Sequence, residues 1–204
     1  MTTSSTNTIR LHRVFTAPPE RVYRAFLDAA AMCKWLPPNG FTGTVHHLDA
    51  KVGGTYKMSF TNFSTGNSHS FGGEYLELIP NELIRHSDRF DDPNLPGEMQ
   101  TTITLKKVLV GTEVNIVQEG VPAVIPPEAC YVGWQESLTL LAQLVQPEIP
   151  DPPSGITLTP PAAPQPWPPD ATVVNASQPA SSARSRSDGG AGGHDRRRCG
   201  HVTF

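Results

Sequence analysis

The histidines and carboxylates of the first 150 residues are the side chains whose types could support metal or acid–base chemistry. His46 and His47 are adjacent in a predicted strand. Because neighbouring side chains of a strand point to opposite faces, the two imidazoles are not expected to share one metal ion. Glu74 and Glu77 are three residues apart in another predicted strand, so they also face opposite ways. The spacing therefore predicts neither a metal centre nor a carboxylate pair.

Two single groups remain as candidates for polar chemistry. His86 has Ile84 and Phe90 at even offsets in its predicted strand, which favours an inward-facing imidazole. It is either a satisfied core histidine or a hydrogen-bonding partner for a bound ligand. Glu74 either lies at the surface or enters an apolar cavity, where a carboxyl has a raised pKa and can act as an acid or base. His69 falls in a predicted turn.

No catalytic signature accompanies these groups. The sequence contains no GxSxG nucleophile elbow, HExxH zinc motif, GxxxxGK[ST] phosphate loop or GxGxxG dinucleotide loop. Cys33, Cys130 and Cys199 are widely spaced and form no CxxC pair. Near the C-terminus, His194, Cys199 and His201 are three potential ligands without a second pair, which is a weak metal signal. We expect no metal, no cofactor and no catalytic residue, and a binding protein rather than an enzyme.

The distribution of charge argues against nucleic acid as a partner. Residues 1–150 carry 11 Lys and Arg against 15 Asp and Glu, a net charge of −4, and residues 151–204 carry 5 against 4, a net charge of +1. Nucleic-acid-binding domains instead cluster Lys and Arg on one face. No segment approaches the ~20 apolar residues of a membrane span, and residues 1–8 lack the basic and apolar stretches of a signal peptide. We expect a cytoplasmic protein.

The order of the predicted elements indicates an α+β domain. A strand at 9–16 precedes two short helices, the second capped by Asp28 and ending at Trp35, and six strands follow between 41 and 119. Strands joined by short turns form an antiparallel sheet. A long helix over 128–145 then carries an apolar stripe at helical spacing, which must pack on the concave face of that sheet. The stripe consists of Cys130, Trp134, Leu138, Leu141 and Val145.

Two further predictions concern glycines. Gly72 and Gly73 interrupt a predicted strand, which suggests a bulge or a strong bend. Gly133 lies in the first turns of the long helix, where glycine costs roughly 1 kcal/mol of helix propensity relative to alanine. We expect that Gly133 allows the helix backbone to approach something closely.

The composition divides the chain into a flexible N-terminus at residues 1–7, one domain at 8–147 and a disordered tail at 148–204. Of the 21 prolines, 11 lie at or beyond Pro147, and the remainder of the tail is rich in Ala, Ser, Gly and Arg. Such a segment cannot bury enough apolar surface to offset its conformational entropy. We interpret it as a passive tail, with polyproline II recognition of its Pro-rich part as the alternative.

Five short motifs occur in order along the domain: Phe15–Phe26 (FTAPPERVYRAF), Lys34–Leu36 (KWL), Val52–Tyr56 (VGGTY), Gly73–Pro80 (GEYLELIP) and Gly133–Leu138 (GWQESL). Together they resemble the activator of heat-shock-protein-90 ATPase homologue family, within the START-like (SRPBCC) superfamily. The resemblance covers about residues 8–146. It implies a helix-grip fold, in which a curved antiparallel sheet of about six to seven strands wraps the long C-terminal helix and encloses an apolar cavity.

The resemblance also makes the apolar side chains candidates for a cavity lining, although such stripes usually fill a core. The expected lining residues are Trp35, Phe41, Met58, Phe60, Phe71, Tyr75, His86, Phe90, Ile103, Trp134 and Leu138. Methionine adapts to irregular apolar shapes, and tyrosine and tryptophan add a polar group to an apolar surface.

The function predicted from the sequence is binding of a small hydrophobic or amphipathic ligand in that cavity, as a non-enzymatic carrier or sensor. Two alternatives remain. The resemblance implies either regulation of a chaperone ATPase through protein–protein contact, or a cavity-based enzyme of the cyclase or hydrolase type. The enzyme alternative requires Glu74 or His86 to face inward with a perturbed pKa. No feature of the sequence predicts an oligomeric state.

Overall fold

A computed structural model describes residues 6–150 and shows a helix-grip domain. Its elements in chain order are β1 (Thr6–Phe15), α1 (Pro19–Ala25), α2 (Ala29–Trp35), β2 (Phe41–Leu48), β3 (Thr55–Asn62), β4 (Ser68–Ile79), β5 (Leu83–Phe90), β6 (Met99–Val108), β7 (Gly111–Pro122) and α3 (Pro127–Val145). The predicted α+β class and element order are confirmed. The predicted tail and its three metal-ligand candidates lie outside the described residues, apart from its first three positions. Between residues 6 and 150, no helix is long and apolar enough to cross a membrane.

The seven strands form one antiparallel sheet in the order β1-β7-β6-β5-β4-β3-β2. Strands β2 to β7 are neighbours in chain order, and β1 lies beside β7. One row of paired residues crosses five strands, from Leu11 through Ile116, Ile103 and Ile84 to Leu78. All but Leu78 are buried. Because a shift of one residue would turn each strand's buried face outward, this apolar row fixes the register of the sheet.

The two short helices form because each has a suitable N-terminus. Helix α1 begins with Pro19, whose fixed φ suits a first helical position, and Asp28 caps α2 by accepting a hydrogen bond from the amide of Ala31 at 2.8 Å. Trp35 at the end of α2 is fully buried, and its Nε1 donates to the carbonyl oxygen of Ala25 at 2.8 Å. The predicted cap and helix end are therefore confirmed, and Trp35 fastens α2 to α1.

Helix α3 spans about 28 Å at 1.5 Å per residue and contacts β1, α1 and α2. The side chains of Leu138, Leu141, Ala142 and Val145 on its second half are almost completely buried in the main core. Cys130 and Trp134 on its first half are only partly buried against that core. The apolar stripe is therefore closely packed along the second half of α3 and only partly buried along the first half.

The bulge predicted as one of two possibilities for the glycine pair in β4 is not at that pair. The register of β4 against β5 shifts between Tyr75 and Glu77, not at Gly72 or Gly73. The two glycines instead permit close approach of the neighbouring strands, because a Cβ at Gly72 would collide with the carbonyl oxygen of Tyr56 and a Cβ at Gly73 would collide with that of Ser87.

Candidate functional site

A cavity of about 190 Å³ lies between the inner face of the sheet and the first half of α3. Apolar side chains form most of its wall. Engineered apolar cavities of about 150 Å³ bind benzene, so this volume suits a molecule of one or two small rings. The helix contributes Ala129, Cys130, Gly133, Trp134 and Ser137 to the lining.

Eight of the eleven residues expected to line a cavity do border this one: Trp35, Phe60, Phe71, Tyr75, His86, Phe90, Ile103 and Trp134. They come from α2, from four strands of the sheet and from α3. The fold therefore brings these side chains to one space. Their contribution to binding stays a prediction.

The other three expected residues, Phe41, Met58 and Leu138, lie outside the lining. Met58 pairs with Phe71, but its side chain is fully buried and does not border the cavity. The ring of Phe41 packs edge-on against His69, with 6.0 Å between the ring centroids. Leu138 is 1% exposed because it begins the closely packed half of α3.

His69 lies in β4, not in a turn, and its imidazole is surrounded by aromatic rings. Its ring centroid is 5.7 Å from that of Phe60, 6.4 Å from that of Phe71 and 6.5 Å from that of Phe90. These four rings all border the cavity. Burial lowers the pKa of His69, because an apolar environment disfavours the charged imidazolium.

A buried polar cluster interrupts the apolar wall. The carboxylate of Asp88 is at its centre, and the residue is 6% exposed. Its Oδ1 accepts a hydrogen bond from the hydroxyl of Tyr56, and its Oδ2 accepts one from Thr101 Oγ1 at 3.1 Å. The Nδ1 atom of His86 lies 3.2 Å from the same Oδ2. All four residues border the cavity, so a charged and hydrogen-bonded group faces an otherwise apolar space.

The neighbours of His86 fix the position of its proton. Nδ1 lies 3.3 Å from the carbonyl oxygen of Ser87 and 3.1 Å from the hydroxyl of Tyr56, whose hydrogen is given to Asp88. Nδ1 is therefore surrounded by acceptors and carries the hydrogen of the neutral ring. Nε2 has no hydrogen-bond partner within residues 6–150. Nε2 is not fully buried either, because Arg85 Nε is the one fully buried side-chain nitrogen or oxygen without a hydrogen-bond partner in residues 6–150. Nε2 is therefore unpaired and keeps some accessible surface, and the His86 side chain borders the cavity.

Electrostatics favour a protonated state for three groups of the lining. Burial alone would lower the pKa of His86, but the charge of Asp88 and the hydrogen bonds to Asp88 and Ser87 outweigh it and raise that pKa. Burial, together with the charge of Asp88, raises the pKa of Tyr56 and of Tyr75 well above the ordinary value. Both tyrosines therefore keep their hydroxyl hydrogens.

Two features of α3 shape the cavity. The indole Nε1 of Trp134 donates to Oε1 of Gln118 at 3.0 Å, which fastens the helix to β7. Gly133 does not provide close approach, so that expectation is wrong: apart from its chain neighbours and the nearby backbone of α3, a Cβ built there would meet no atom of residues 6–150 within 4 Å. Gly133 instead leaves open space at the cavity wall.

The remaining candidates do not enter the site. Glu74 is exposed and points away from the cavity, which removes it as the internal acid or base of the enzyme alternative. The register of β2 shifts between Val45 and His47, and this bulge leaves His46 and His47 both exposed. The strict alternation expected for these two is therefore wrong. In the part of the chain that the structure describes, no three His, Cys, Asp or Glu side chains are grouped to hold a metal ion.

Asp88 is the principal polar residue that sequence reasoning missed. It lies two residues after His86 and two before Phe90, so the alternation that predicts an inward His86 also predicts an inward Asp88. The signal was present in the sequence. The partners Tyr56 and Thr101 come from other strands, and their convergence on Asp88 required the strand order.

Comparisons with known proteins agree with this architecture. A family model described as "Activator of Hsp90 ATPase homolog 1-like protein" matches residues 16–146. A crystal structure of a Chromobacterium violaceum protein has 63% sequence identity and a TM-score of 0.69, covering 70% of this chain and 99% of that chain. A Rhodobacter sphaeroides structure has 21% identity and a TM-score of 0.61, covering 68% and 96%. A Staphylococcus epidermidis structure has 21% identity and a TM-score of 0.60, covering 71% and 93%. No functionally curated protein matches the chain.

Proposed function

The chain belongs to the family of Activator of Hsp90 ATPase homolog 1-like proteins, and from this premise we propose that it binds one small apolar or amphipathic molecule between its sheet and α3. The observation that carries the proposal is the cavity of about 190 Å³ with an aromatic and aliphatic wall. Ligand sites of this kind derive affinity from buried apolar area and orientation from a few polar groups. Tyr75, His86 and Asp88 are such polar groups.

The position of Gly133 provides the test. Gly133→Leu adds a side chain toward open space and raises helix propensity by up to roughly 1 kcal/mol, so the variant should fold at least as well as the wild type. Val132→Leu is the matched control, because Val132 is the preceding residue of the same helix and is 60% exposed.

The probe is aminonaphthalene, a two-ring fluorophore that brightens in apolar surroundings. We expect saturable binding to the wild type and to Val132→Leu, and binding at least about tenfold weaker to Gly133→Leu, since a 1.4 kcal/mol loss of contact corresponds to that factor. Equal affinity of Gly133→Leu and wild type would contradict the proposal, as would a wild type that never saturates. Regulation of a chaperone ATPase is supported by the family description alone, whereas ligand binding is supported by the cavity as well.

A further inference from the structure

We propose that His86 and Asp88 form a proton-transfer pair, in which Nε2 of His86 takes a proton from a weakly acidic C–H or O–H group of a small ring compound in the cavity. The inference rests on the proposed function, because the reacting compound must first occupy the cavity. It adds an activity to that function. His86 is the catalytic residue of the proposal, and Asp88 is a positioning residue.

The Asp88 carboxylate lies on one side of the His86 imidazole and the cavity borders that residue, which is the arrangement that general-base catalysis requires. His86 and Asp88 lie two residues apart on β5, on the same face, with Nδ1 and Oδ2 3.2 Å apart. A carboxylate on Nδ1 fixes the ring orientation and stabilises the imidazolium that forms when Nε2 accepts a proton. Tyr56 of β3 and Thr101 of β6 donate to the two carboxylate oxygens, so Asp88 is itself fixed.

Among the described residues that line the cavity, Asp88 is the one charged partner of the His86 imidazole. The other titratable side chains on the lining are Tyr56, His69, Tyr75, Asp88 and Cys130. Burial raises the pKa of the Cys130 thiol and lowers that of His69, which keeps both neutral at physiological pH. The two tyrosines stay protonated. Among residues 6–150, no Lys, Arg or Glu borders the cavity, so Asp88 is the one described group that compensates the charge of a protonated His86.

The hydroxyl of Tyr75 adds a donor to the same space. Tyr75 pairs with His86 across β4 and β5, and the two ring centroids are 6.1 Å apart. Its hydroxyl has no hydrogen-bond partner among the residues that the structure describes and is not fully buried, and the Tyr75 side chain borders the cavity. Proton removal leaves negative charge on the reacting compound, and an O–H donor in an apolar site stabilises such charge.

Nitrobenzisoxazole is a suitable probe because its ring opening needs only a base. The base takes the hydrogen of the ring carbon next to nitrogen, the C–H electron pair completes a nitrile, and the N–O bond breaks with its pair leaving on oxygen. The product is a coloured cyanophenolate, and His86 returns its proton to water. No oxidant, reductant or cofactor takes part.

The experiment measures phenolate release by the full-length protein as a function of pH. We expect His86→Gln to lower kcat/KM by about a hundredfold, the usual scale for a general base, and the control His47→Gln, an exposed histidine of β2, to change nothing. The wild-type rate should rise with pH as His86 loses its proton. Asp88→Asn should move the midpoint of that profile to lower pH, a shift that a purely structural role would not produce.

Nitrobenzofuran, which has the same shape but no N–O bond, separates binding from proton transfer. Its affinity is measured by displacement of aminonaphthalene from each variant. If it binds to the wild type and to His86→Gln while their ring-opening rates are equal, the proton-transfer inference is overturned and the proposed function stands. If it does not bind to the wild type, both are overturned.

Discussion

Tyr56 of β3 hydrogen-bonds Asp88 of β5 although β4 lies between the two strands. The residue of β4 that pairs with Tyr56 is Gly73, and with no side chain there the phenol ring can extend over β4 to reach the carboxylate. Gly73 also permits the carbonyl oxygen of Ser87 to approach closely. One glycine thus allows three strands to contribute to a single polar cluster.

This arrangement predicts opposite effects of the same substitution at two glycines. Gly73→Ala should lower the free energy of unfolding by about 1–3 kcal/mol, because its Cβ overpacks against Ser87. Gly133→Ala should raise it by up to about 1 kcal/mol, because it gains helix propensity and meets open space. Urea denaturation of both variants measures the difference. A destabilised Gly133→Ala or an unaffected Gly73→Ala would disagree with the described packing.

The hydrogen bond from Tyr56 gives a second prediction. Tyr56→Phe deprives the buried Asp88 carboxylate of a donor, and leaving a buried acceptor short of a partner costs about 1–3 kcal/mol. Tyr131→Phe is the control, since Tyr131 is 36% exposed and its hydroxyl accepts a solvent-exposed hydrogen bond from the amide of Arg10 at 3.3 Å. Water can replace that bond, and surface changes usually stay within about 0.5 kcal/mol. Chemical denaturation at pH 7 compares the two. Equal small effects would mean that Tyr56 does not support Asp88.

The raised pKa of His86 predicts stability that declines toward alkaline pH. Below about 6.5, the ordinary histidine pKa, the imidazole is charged in both folded and unfolded states, and the attraction to Asp88 contributes fully. As pH rises from there through the higher folded-state pKa, the folded imidazole also loses its proton and that contribution disappears. His86→Gln should remove this decline. The free energy of unfolding between pH 6 and pH 9 measures it, and an identical slope in wild type and variant would contradict the assignment.

The lowered pKa of His69 predicts the opposite trend on the acid side. The unfolded chain protonates this imidazole near pH 6.5, whereas the folded site among aromatic rings resists protonation until lower pH. Stability should therefore fall as pH drops below that value, and His69→Gln should reduce the fall. Unfolding measured between pH 7 and pH 5 tests this, with His47→Gln, an exposed histidine of β2, as the control. A fall of the same size in His69→Gln would show that other groups cause it.

Local pattern was sufficient for much of the fold. The bounds of β5 and β6 follow from alternation and flanking turn residues, and the resemblance together with the strand-rich middle of the chain predicted the sheet that grips α3. The bulge at His46 and His47 did not follow, because an extra residue in one strand is decided by the partner strand's register and has no signature of its own.

The lining was predicted in its apolar part, and of the polar cluster around Asp88 only His86 was predicted. Trp35, Phe71 and Ile103 follow from burial and parity, which are local properties. Leu138 and Trp134 both follow the helical spacing of the apolar stripe on α3. Spacing alone therefore could not show which half of the stripe packs closely against the core. The meeting of Tyr56 with Asp88 depends on strand order and on a side chain that Gly73 lacks, which no single segment reveals.

The central claim is that open space beside Gly133 admits an apolar guest. Crystals of the wild type pressurised with xenon test it most directly, because apolar cavities of this size accept xenon. We expect a xenon peak inside the cavity between Gly133 and Ile103 in the wild type and in Val132→Leu, and no peak in Gly133→Leu. A wild-type crystal without xenon at that position, or an undiminished peak in Gly133→Leu, would contradict it.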